Sequence, residues 1–417
     1  MPPLSRSPHP SRRVVVTAAE VVSPLGVGLD ETLAALQHSR PGISPVRLFN
    51  PEGCRSRSAG QVDETRLLPF LPHRHHRAVG RHRAGAMMCA AGVGLFRQDP
   101  RFCPQALVIG TTSGGMSFGE AFFRTLPHGS RRRRPGWLAH YSGQKAVLEM
   151  QEATGLSGLP VQVIANACAS GTNAIGHAFE LIRHGLRDRV LAGGYDALSE
   201  LVYVGFDSLQ ASSPDFCRPF DRYRNGLIMG EGAALLALEA WDAARDRGAP
   251  ILAEVCGYGL STDNHHLTQP HPSGIGPRQA MERALASAGL PPGAIDYINA
   301  HGTATPFNDA TEGAAIEAIF GPSGVPVSST KGLTGHALGG AGAIEAVFSL
   351  LALRHGFLPA NVGLQEADPQ WQLDLVTESA RPTAPHTLLS NSFGFGGTNA
   401  SLVLRHPRAL SSQEVAA

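Results

Sequence analysis

The sequence predicts an α/β fold, because short apolar runs recur between glycine-rich turns and helical stretches along the chain. Several of these runs lack a polar alternate face, which is typical of strands buried between helical layers. The runs are Val14 to Thr17, Leu107 to Ile109, Val161 to Ile164, Ala234 to Leu238, Ile295 to Asn299 and Leu402 to Leu404.

A weak internal repeat indicates that the fold is duplicated. Two predicted helices each follow a loop of small residues, at Cys168 and at His336, and each ends in Arg-His-Gly. Both carry apolar residues at i, i+3, i+4 and i+7. These residues are Ile175, Ala178, Phe179 and Ile182 in one helix, and Ile344, Val347, Phe348 and Leu351 in the other. Two buried helices can also look alike without duplication. We expect an N-terminal half over 1–254 and a C-terminal half over 255–417.

Composition excludes several classes of protein. Of 417 residues, 42 % are hydrophobic and 17 % charged, which fits a soluble globular chain with a sizeable core. The net charge of +1 argues against a nucleic-acid binder. The six cysteines form no CxxC pair and no metal-like cluster, so we expect no disulfide framework, no metal site and a reducing compartment, the cytoplasm.

No apolar run reaches the roughly 18 residues that a membrane-spanning helix needs, so we expect no membrane association. The first 13 residues are rich in Ser, Pro and Arg. They fit an organelle transit peptide or, since they show no amphipathic pattern, a short disordered tail. Basic runs at 74–83 and 131–134 are either solvated surface or a docking face for an acidic protein.

Cys168 has the position of a nucleophile. It follows the strand Val161 to Ile164 and precedes the first predicted helix. A thiol at a helix N-terminus meets the positive end of the helix dipole and unpaired N–H groups, which favour the thiolate. A buried structural cysteine is the alternative.

Two histidines lie in loops that suit a binding site. His301 stands at the carboxyl end of a predicted strand, where α/β sheets form ligand crevices, and Thr303 and Thr305 follow it with hydroxyls that could bind a polar ligand. A hydrogen-bonded surface histidine is the alternative. His336 is predicted to open a helix, whose dipole would keep the imidazole neutral.

Two further segments complete the candidate site. Lys331 precedes His336, and Glu345 lies inside the helix that follows, so a buried ion pair or a plain surface pair is predicted. The segment Asn391 to Asn399 presents Phe393 and Phe395 among glycines. That composition indicates a hinge whose N–H groups could bind an oxyanion, or a structural loop.

Together these four segments resemble the β-ketoacyl-[acyl carrier protein] synthases of the elongating type, from about Arg13 to His406. The resemblance implies a thiolase-like, duplicated fold in five αβαβα layers, working as a homodimer with no bound cofactor. It implies that Cys168 takes an acyl group from a carrier protein and condenses it, with loss of CO₂, with malonyl-carrier protein.

The resemblance also implies the other roles. His301 and His336 bind the malonyl thioester carbonyl, Lys331 and Glu345 support them, and the N–H groups of Cys168 and Phe395 form the oxyanion hole. The remaining residues implied to meet the phosphopantetheine arm or the acyl chain are Thr303, Thr305, Phe393, Phe206 and Ser113, with Phe395 also as a gate. The two basic runs fall where this family meets its acidic carrier.

Related classes differ from this sequence at the same positions. A thiolase has a second catalytic cysteine near its C-terminus, and initiating synthases have Asn in place of His336. A non-catalytic chain-length factor, the partner subunit in a ketosynthase heterodimer, lacks the nucleophile but remains the alternative. A Cys-His hydrolase would need no second histidine.

Two features leave the pathway open. Ser113 aligns with the pocket floor, where elongating synthases often carry a bulkier aliphatic residue, and Asn308-Asp309 is common in polyketide-type relatives. Specialised polyketide or polyene synthesis is therefore an alternative to fatty-acid elongation. The pairs Ala18-Ala19 and Asn166-Ala167 depart from the family pattern without removing a catalytic group.

Overall fold

The computed structural model describes residues 12–128 and 134–407. The strands are β1 (Val14–Ser23), β2 (Gly26–Val27), β3 (Ile43–Pro45), β4 (Ser58–Gly60), β5 (Ala106–Gly110), β6 (Val161–Ile164), β7 (Arg189–Asp196), β8 (Gly232–Ala240), β9 (Ala253–Thr262), β10 (Tyr297–Asn299), β11 (Pro326–Ser328), β12 (Phe357–Leu358), β13 (Asp374–Leu375), β14 (Arg381–Pro382), β15 (Thr387–Gly394) and β16 (Thr398–Arg405).

The helices are α1 (Leu29–Gln37), α2 (Glu64–Leu67), α3 (Val79–Gln98), α4 (Met116–Phe123), α5 (Gln144–Thr154), α6 (Ser170–Arg183), α7 (Glu200–Ser208), α8 (Trp241–Asp246), α9 (Ile275–Ala288), α10 (Pro306–Phe320), α11 (Lys331–Thr334) and α12 (Ala341–His355). Each of the six predicted apolar runs contains or overlaps a strand. In the described part of the chain, no helix combines the length and the apolar character needed to cross a membrane.

Two sets of five strands have the same topology. In the N-terminal set the order is β6-β5-β7-β8-β1, and in the C-terminal set it is β11-β10-β15-β16-β9. Within each set, the first two neighbouring pairs are parallel and the last two are antiparallel. The predicted duplication is therefore confirmed by strand order and direction.

The two central helices occupy equivalent places in this duplication. In chain order, helix α6 comes after β6, the third strand of the N-terminal set, and α12 comes after β11, the third strand of the C-terminal set. Both end as predicted: Gly185 and Gly356 have φ of 69° and 70°, the left-handed conformation that glycine adopts without steric cost.

Three large hydrophobic cores hold five layers together, and the central core extends to both sides of the middle helical layer. Side chains of α6 and α12 pack between the two strand sets, which are joined where Val14 to Val16 of β1 pair with β9. Helices α3 and α5 cover the outer face of the N-terminal set, and α9 and α10 cover that of the C-terminal set. Successive residues of one strand serve different cores, as with Leu388 and Leu389. The thiolase-like αβαβα fold is confirmed.

Helix α12 shows why the centre of the molecule is rigid. Every residue from Ala341 to Leu353 is buried, including Glu345. Its first turn meets α6 closely, since a Cβ added at Gly342 would lie 2.0 Å from Thr172 Oγ1, and one added at Gly171 would lie 2.8 Å from Ala343 N. Small residues at these positions let the two helices touch through their backbones.

Three expectations need correction or qualification. Strand β6 is not buried on both faces but is the outermost strand of its sheet, with Gln162 exposed and its neighbours half-buried. The basic run at 74–83 is not all surface, because His82 and Arg83 are buried in α3 and Arg83 pairs with Glu231. The division at 254/255 stays a prediction, and it falls inside β9.

Two predicted segments lie outside the described residues. These are residues 1–11 of the N-terminal tail and residues 131–133 of the second basic run.

Candidate active site

Cys168 lies on a sharp turn between β6 and α6, as predicted. Ala167 before it has φ of 54°, an uncommon value for a residue with a Cβ. The Ser170 hydroxyl donates to the Ala167 carbonyl at 2.6 Å and accepts from the Asn166 N–H at 3.0 Å. These bonds hold the strained turn, which presents a thiol that is only 6 % exposed.

His336 lies in the equivalent loop of the C-terminal half. Its Nε2 is 3.0 Å from Cys168 Sγ, and its backbone bonds to Ile228 O and Gly230 N on the neighbouring segment. The prediction that His336 opens a helix is wrong in detail, because a 3₁₀ turn over Leu338–Gly340 intervenes before α12. The duplication thus brings together two residues that are far apart in sequence.

His301 completes the group from the carboxyl side of β10, as expected. Its backbone N–H donates to Glu312 Oε1 at 2.8 Å, and its ring lies 5.2 Å from the His336 ring, nearly perpendicular to it. The ligand atoms of Cys168, His301 and His336 all lie within 4.8 Å of one another, close enough to hold a metal ion, although the sequence predicts none. One small substrate group can therefore contact all three.

Lys331 fixes the tautomer of His301. Its Nζ donates to the Glu345 carboxylate, both side chains being buried, and lies 3.3 Å from His301 Nδ1. An ammonium has no acceptor, so Nδ1 must accept and the ring proton must be on Nε2. The predicted buried ion pair is confirmed, and it directs the Nε2–H of His301 away from Lys331.

Both imidazoles are neutral. Burial, reinforced by the Lys331 charge, holds the pKa of His301 and that of His336 well below the ordinary value. The neutral state was expected, but its main cause is burial rather than a helix dipole. His336 Nδ1 is buried without a hydrogen-bond partner among the described residues, so we assign the proton to Nε2, since an orphaned donor costs more than an orphaned acceptor.

Burial also has the largest effect on the pKa of the Cys168 thiol, contrary to the expectation of a favoured thiolate. It raises the pKa of Cys168 to about 11. Lys331 and the backbone N–H groups of Phe395 and Cys168 lower the thiol pKa, but by less than desolvation raises it, and Asp196 raises it further. Sequence neighbours could not reveal this balance, because the groups that exclude water come from both halves.

Alkylation of Cys168 by iodoacetamide should therefore increase about tenfold per pH unit between pH 7 and pH 10, because only the thiolate reacts and its pKa is about 11. Peptide-resolved mass spectrometry measures the rate, and the exposed Cys103 reports reagent quality in the same sample. A thiol with an ordinary pKa of about 8.5 would be half ionised at that pH, and its alkylation rate would level off from about pH 9.5, so levelling-off below pH 10 would contradict the buried-thiol state.

A cavity of about 260 Å³ leads to the three residues. Four predicted substrate contacts line it, namely Thr303, Thr305, Phe206 and Phe393, and the predicted gate Phe395 lines it as well. The hydroxyls of Thr303 and Thr305 bond to each other at 2.8 Å, so each retains further capacity for a polar ligand.

Phe395 lies on the short turn between β15 and β16. Gly396 and Gly397 after it have φ of 79° and 77°, and Gly396 N donates to Leu267 O at 2.7 Å on a facing loop. The Phe395 ring stacks on Phe206 with centroids 5.4 Å apart. The choice between a glycine hinge and a structural loop stays a prediction.

Ser113 does not line this cavity. It is buried, and its hydroxyl donates to Asp196 Oδ1 at 2.6 Å. Its predicted place at a pocket floor stays a prediction.

Three buried carboxylates near the site were not predicted as site residues, although Asp309 was noted as part of a polyketide-type pair. Glu312 accepts from the N–H groups of His301 and Gly302, and burial raises its pKa to about 7. Asp309 accepts from Ala304 N, and Asp196 accepts from the turn after β5. Asp309 and Glu312 are one helical turn apart directly after the His301 loop, which is a signal that could have indicated them.

Two family models match the chain. Residues 103–244 match the N-terminal domain of β-ketoacyl synthase, and residues 252–365 match its C-terminal domain. A fold of two thiolase-like halves around a Cys-His-His group thus coincides with a known class of condensing enzyme.

Named relatives cover nearly the whole chain. It is 36 % identical over 411 residues, 94 % of this chain and 98 % of the relative, to 3-oxoacyl-[acyl-carrier-protein] synthase 2 of Synechocystis sp.. Among solved structures, the ishigamide ketosynthase/chain length factor has a TM-score of 0.87 at 33 % identity, covering 95 % of this chain and 99 % of that one. A type II PKS ketosynthase in complex with its acyl-carrier protein has a TM-score of 0.85 at 28 % identity, covering 95 % and 100 %. The chain belongs to the β-ketoacyl synthase family.

Proposed function

We propose that this chain catalyses the decarboxylative Claisen condensation of an acyl thioester on Cys168 with malonyl-[acyl carrier protein]. The products are β-ketoacyl-[acyl carrier protein], CO₂ and free carrier. The observation that carries this proposal is the approach of two neutral imidazoles, each with its proton on Nε2, to one buried thiol, with Nε2 of His336 3.0 Å from the sulfur.

In the first step, the Cys168 sulfur attacks the thioester carbonyl of the acyl-carrier protein. A carbon–sulfur bond to Cys168 forms, the bond to the pantetheine sulfur breaks, and the thiol proton leaves with the carrier thiol. The N–H groups of Cys168 and Phe395 stabilise the oxyanion, a role supported by the effect of both groups on the sulfur, since each lowers the pKa of the Cys168 thiol. A pKa near 11 makes the free thiolate scarce, so acylation depends on this stabilisation.

In the second step, the malonyl thioester carbonyl accepts hydrogen bonds from the Nε2–H groups of His301 and His336. Loss of CO₂ leaves its electron pair on the enolate, whose negative oxygen these donors stabilise more than they stabilise the neutral carbonyl. The enolate carbon then attacks the acyl group on Cys168, forming a carbon–carbon bond while the carbon–sulfur bond breaks. The electron pair of that bond returns to the Cys168 sulfur, which takes up a proton from solvent to regenerate the thiol. Neutral donors suit this chemistry because they do not protonate the enolate.

The cavity suits the phosphopantetheine arm of the carrier. Thr303 and Thr305 offer hydroxyls to its amides, and Phe393 lies beside His301 with ring centroids 6.0 Å apart. Phe395 acts as the gate, with its closed position supported by the stack on Phe206 and its movement by the glycine hinge. No other cofactor enters the proposal.

An acidic carrier protein would dock beside the basic run at 74–83. Arg74 and Arg77 are exposed and Arg81 is half-buried, with its guanidinium over the Trp137 ring. These residues can contribute positive charge to a docking face, whereas Arg83 cannot, because it is buried in an ion pair.

The chain would act as a homodimer, with a heterodimer of related subunits as the alternative. Among the described residues, strand β6 has a sheet partner on one side only, so one row of its N–H and C=O groups is at the edge of the sheet, and its side chains are apolar except for Gln162. Such an edge can pair with a second copy of the same strand. Because β6 leads directly to Cys168, pairing there would place the partner near the acyl site. We propose the cytoplasm as its location.

The geometry favours an active enzyme over a chain-length-factor-like partner subunit, because such a partner needs neither a thiol nor two oriented imidazoles. Intact-protein mass after incubation with a panel of acyl-carrier proteins tests this, followed by malonyl-carrier protein and analysis of the released product. We expect an acyl adduct on Cys168 that turns over to a β-ketoacyl product, with the preferred acyl group identifying fatty-acid or polyketide synthesis. If no carrier acylates folded protein, the partner-subunit function takes its place, and acyl hydrolysis without malonyl consumption would indicate a hydrolase.

A further inference from the structure

A buried carboxylate connects the two catalytic loops. Asp196, the last residue of β7, is fully buried and accepts five hydrogen bonds. The donors are Thr111 Oγ1 at 2.8 Å, Thr112 N at 2.8 Å, Ser113 N at 2.8 Å, Ser113 Oγ at 2.6 Å and Gly339 N at 2.7 Å. Four belong to the turn after β5, and the fifth belongs to the C-terminal half.

These partners lie directly beside the reacting residues. Gly339 is in the 3₁₀ turn that follows His336, so Asp196 anchors the His336 loop. Thr112 Oγ1 donates to the carbonyl of Ala167, the residue before Cys168, at 2.9 Å. A continuous path of hydrogen bonds therefore runs from the Cys168 loop through Thr112 and Asp196 to the His336 loop.

We propose that Asp196 is a positioning residue that sets the separation between Cys168 Sγ and His336 Nε2. The inference rests on the proposed function for its effect on turnover, but its geometric basis is independent of that function.

Close packing around the two loops leaves few other contacts that could set the distance between Cys168 Sγ and His336 Nε2. A Cβ added at Gly339 would lie 2.6 Å from Thr112 N, so the His336 loop already rests on the turn after β5. Three of the five donors are backbone N–H groups, which can only donate. An amide side chain at 196 would turn its own donors towards at least one of them, so only a carboxylate accepts all five bonds.

The charge of Asp196 works against the nucleophile, which separates positioning from activation. The carboxylate raises the pKa of the Cys168 thiol, whereas a group placed to activate a thiol would lower it. The hydrogen bonds that Asp196 accepts explain its presence, although its charge lowers the fraction of Cys168 that is thiolate. Removing the charge while keeping the shape should therefore make the thiol more reactive and the enzyme slower.

The test is Asp196→Asn. We expect kcat for condensation to fall about 100-fold, the size of effect known for small misplacements of reacting groups, with the KM for acyl-carrier protein within about twofold. We expect the pH profile of Cys168 alkylation to move to lower pH in the same variant. Alkylation of Cys89, an equally buried thiol in α3, is followed in the same sample, because loosening of the fold would expose both thiols whereas loss of the Asp196 charge acts on Cys168 alone.

Two further variants complete the test. Glu239→Gln changes an equally buried carboxylate on β8, at the end of the β7–β8 pair that is far from Asp196. It should shift neither the alkylation profile nor kcat by more than about twofold. Thr112→Val removes only the Oγ1 bond to Ala167, from an exposed side chain, so it should fold even if Asp196→Asn does not, and should lower kcat about fivefold with KM unchanged.

An unchanged kcat and alkylation profile in folded Asp196→Asn would overturn the inference, as would an unchanged kcat in Thr112→Val. If the wild-type chain forms no β-ketoacyl product, the proposed function fails. The alkylation comparison then still decides whether Asp196 acts on Cys168.

Discussion

Replacing Cys168 with alanine is expected to lower condensation by at least about 10³-fold while leaving the loss of CO₂ from malonyl-carrier protein within about tenfold of the wild-type rate. Condensation needs the sulfur because the acyl group is bound there. Decarboxylation needs only the Nε2–H donors of His301 and His336, whose tautomers are set by Lys331 and by the buried Nδ1, not by the thiol. Released CO₂ and β-ketoacyl product are measured in parallel.

Cys89→Ala provides the matched control. Cys89 is also 6 % exposed, and burial raises its pKa to about 12, but it lies in α3 and away from the cavity. It should retain full condensation. Condensation by Cys168→Ala above about a hundredth of the wild-type rate would mean that another group carries the acyl chain.

The local sequence was sufficient to predict elements whose role depends on near neighbours. Cys168 between an apolar strand and an amphipathic helix, and Glu345 inside the helix after His336, are patterns of spacing. The repeat of two helices with the same apolar positions predicted a duplication that strand order then confirmed. Such patterns can be recognised in the sequence because helices and strands place side chains at fixed periods along the chain.

The remaining features depend on contacts between distant segments. Lys331 and His301 are 30 residues apart in sequence, and Asp196 and Gly339 are 143 apart. No period relates such pairs. Asp196 in the sequence is only an acidic residue at the end of an apolar strand, and its partners become visible when both halves are folded.

The state of the thiol was mispredicted for the same reason. A helix N-terminus next to Cys168 is a local signal, and it favours the thiolate. Burial opposes it, and burial is produced jointly by the β15–β16 turn, the His336 loop and α6, which approach from both halves. A Cβ at Gly394, for example, would lie 3.0 Å from Cys168 N. The effect of burial exceeds that of the helix N-terminus, so the pKa of Cys168 rises.

His301→Ala is expected to lower the decarboxylation of malonyl-carrier protein by about 10² to 10³-fold, the effect of losing one preorganised oxyanion donor. Acyl transfer to Cys168 should remain within about fivefold, because its oxyanion is bound by the N–H groups of Cys168 and Phe395. Single-turnover acylation, followed by mass, and CO₂ release measure the two steps separately.

The contrast between the two steps identifies the role of His301. If His301 instead acted as a general base towards the thiol, acylation would fall as much as decarboxylation, which would contradict the donor role. His301→Asn restores an N–H donor without a titrating group and should recover part of the decarboxylation rate. His82→Ala removes another buried imidazole, one whose pKa burial lowers to about 4, and should change neither step by more than about threefold. Since burial and the Lys331 charge both hold the pKa of His301 well below its ordinary value, the donor role should persist unchanged from pH 6 to pH 8.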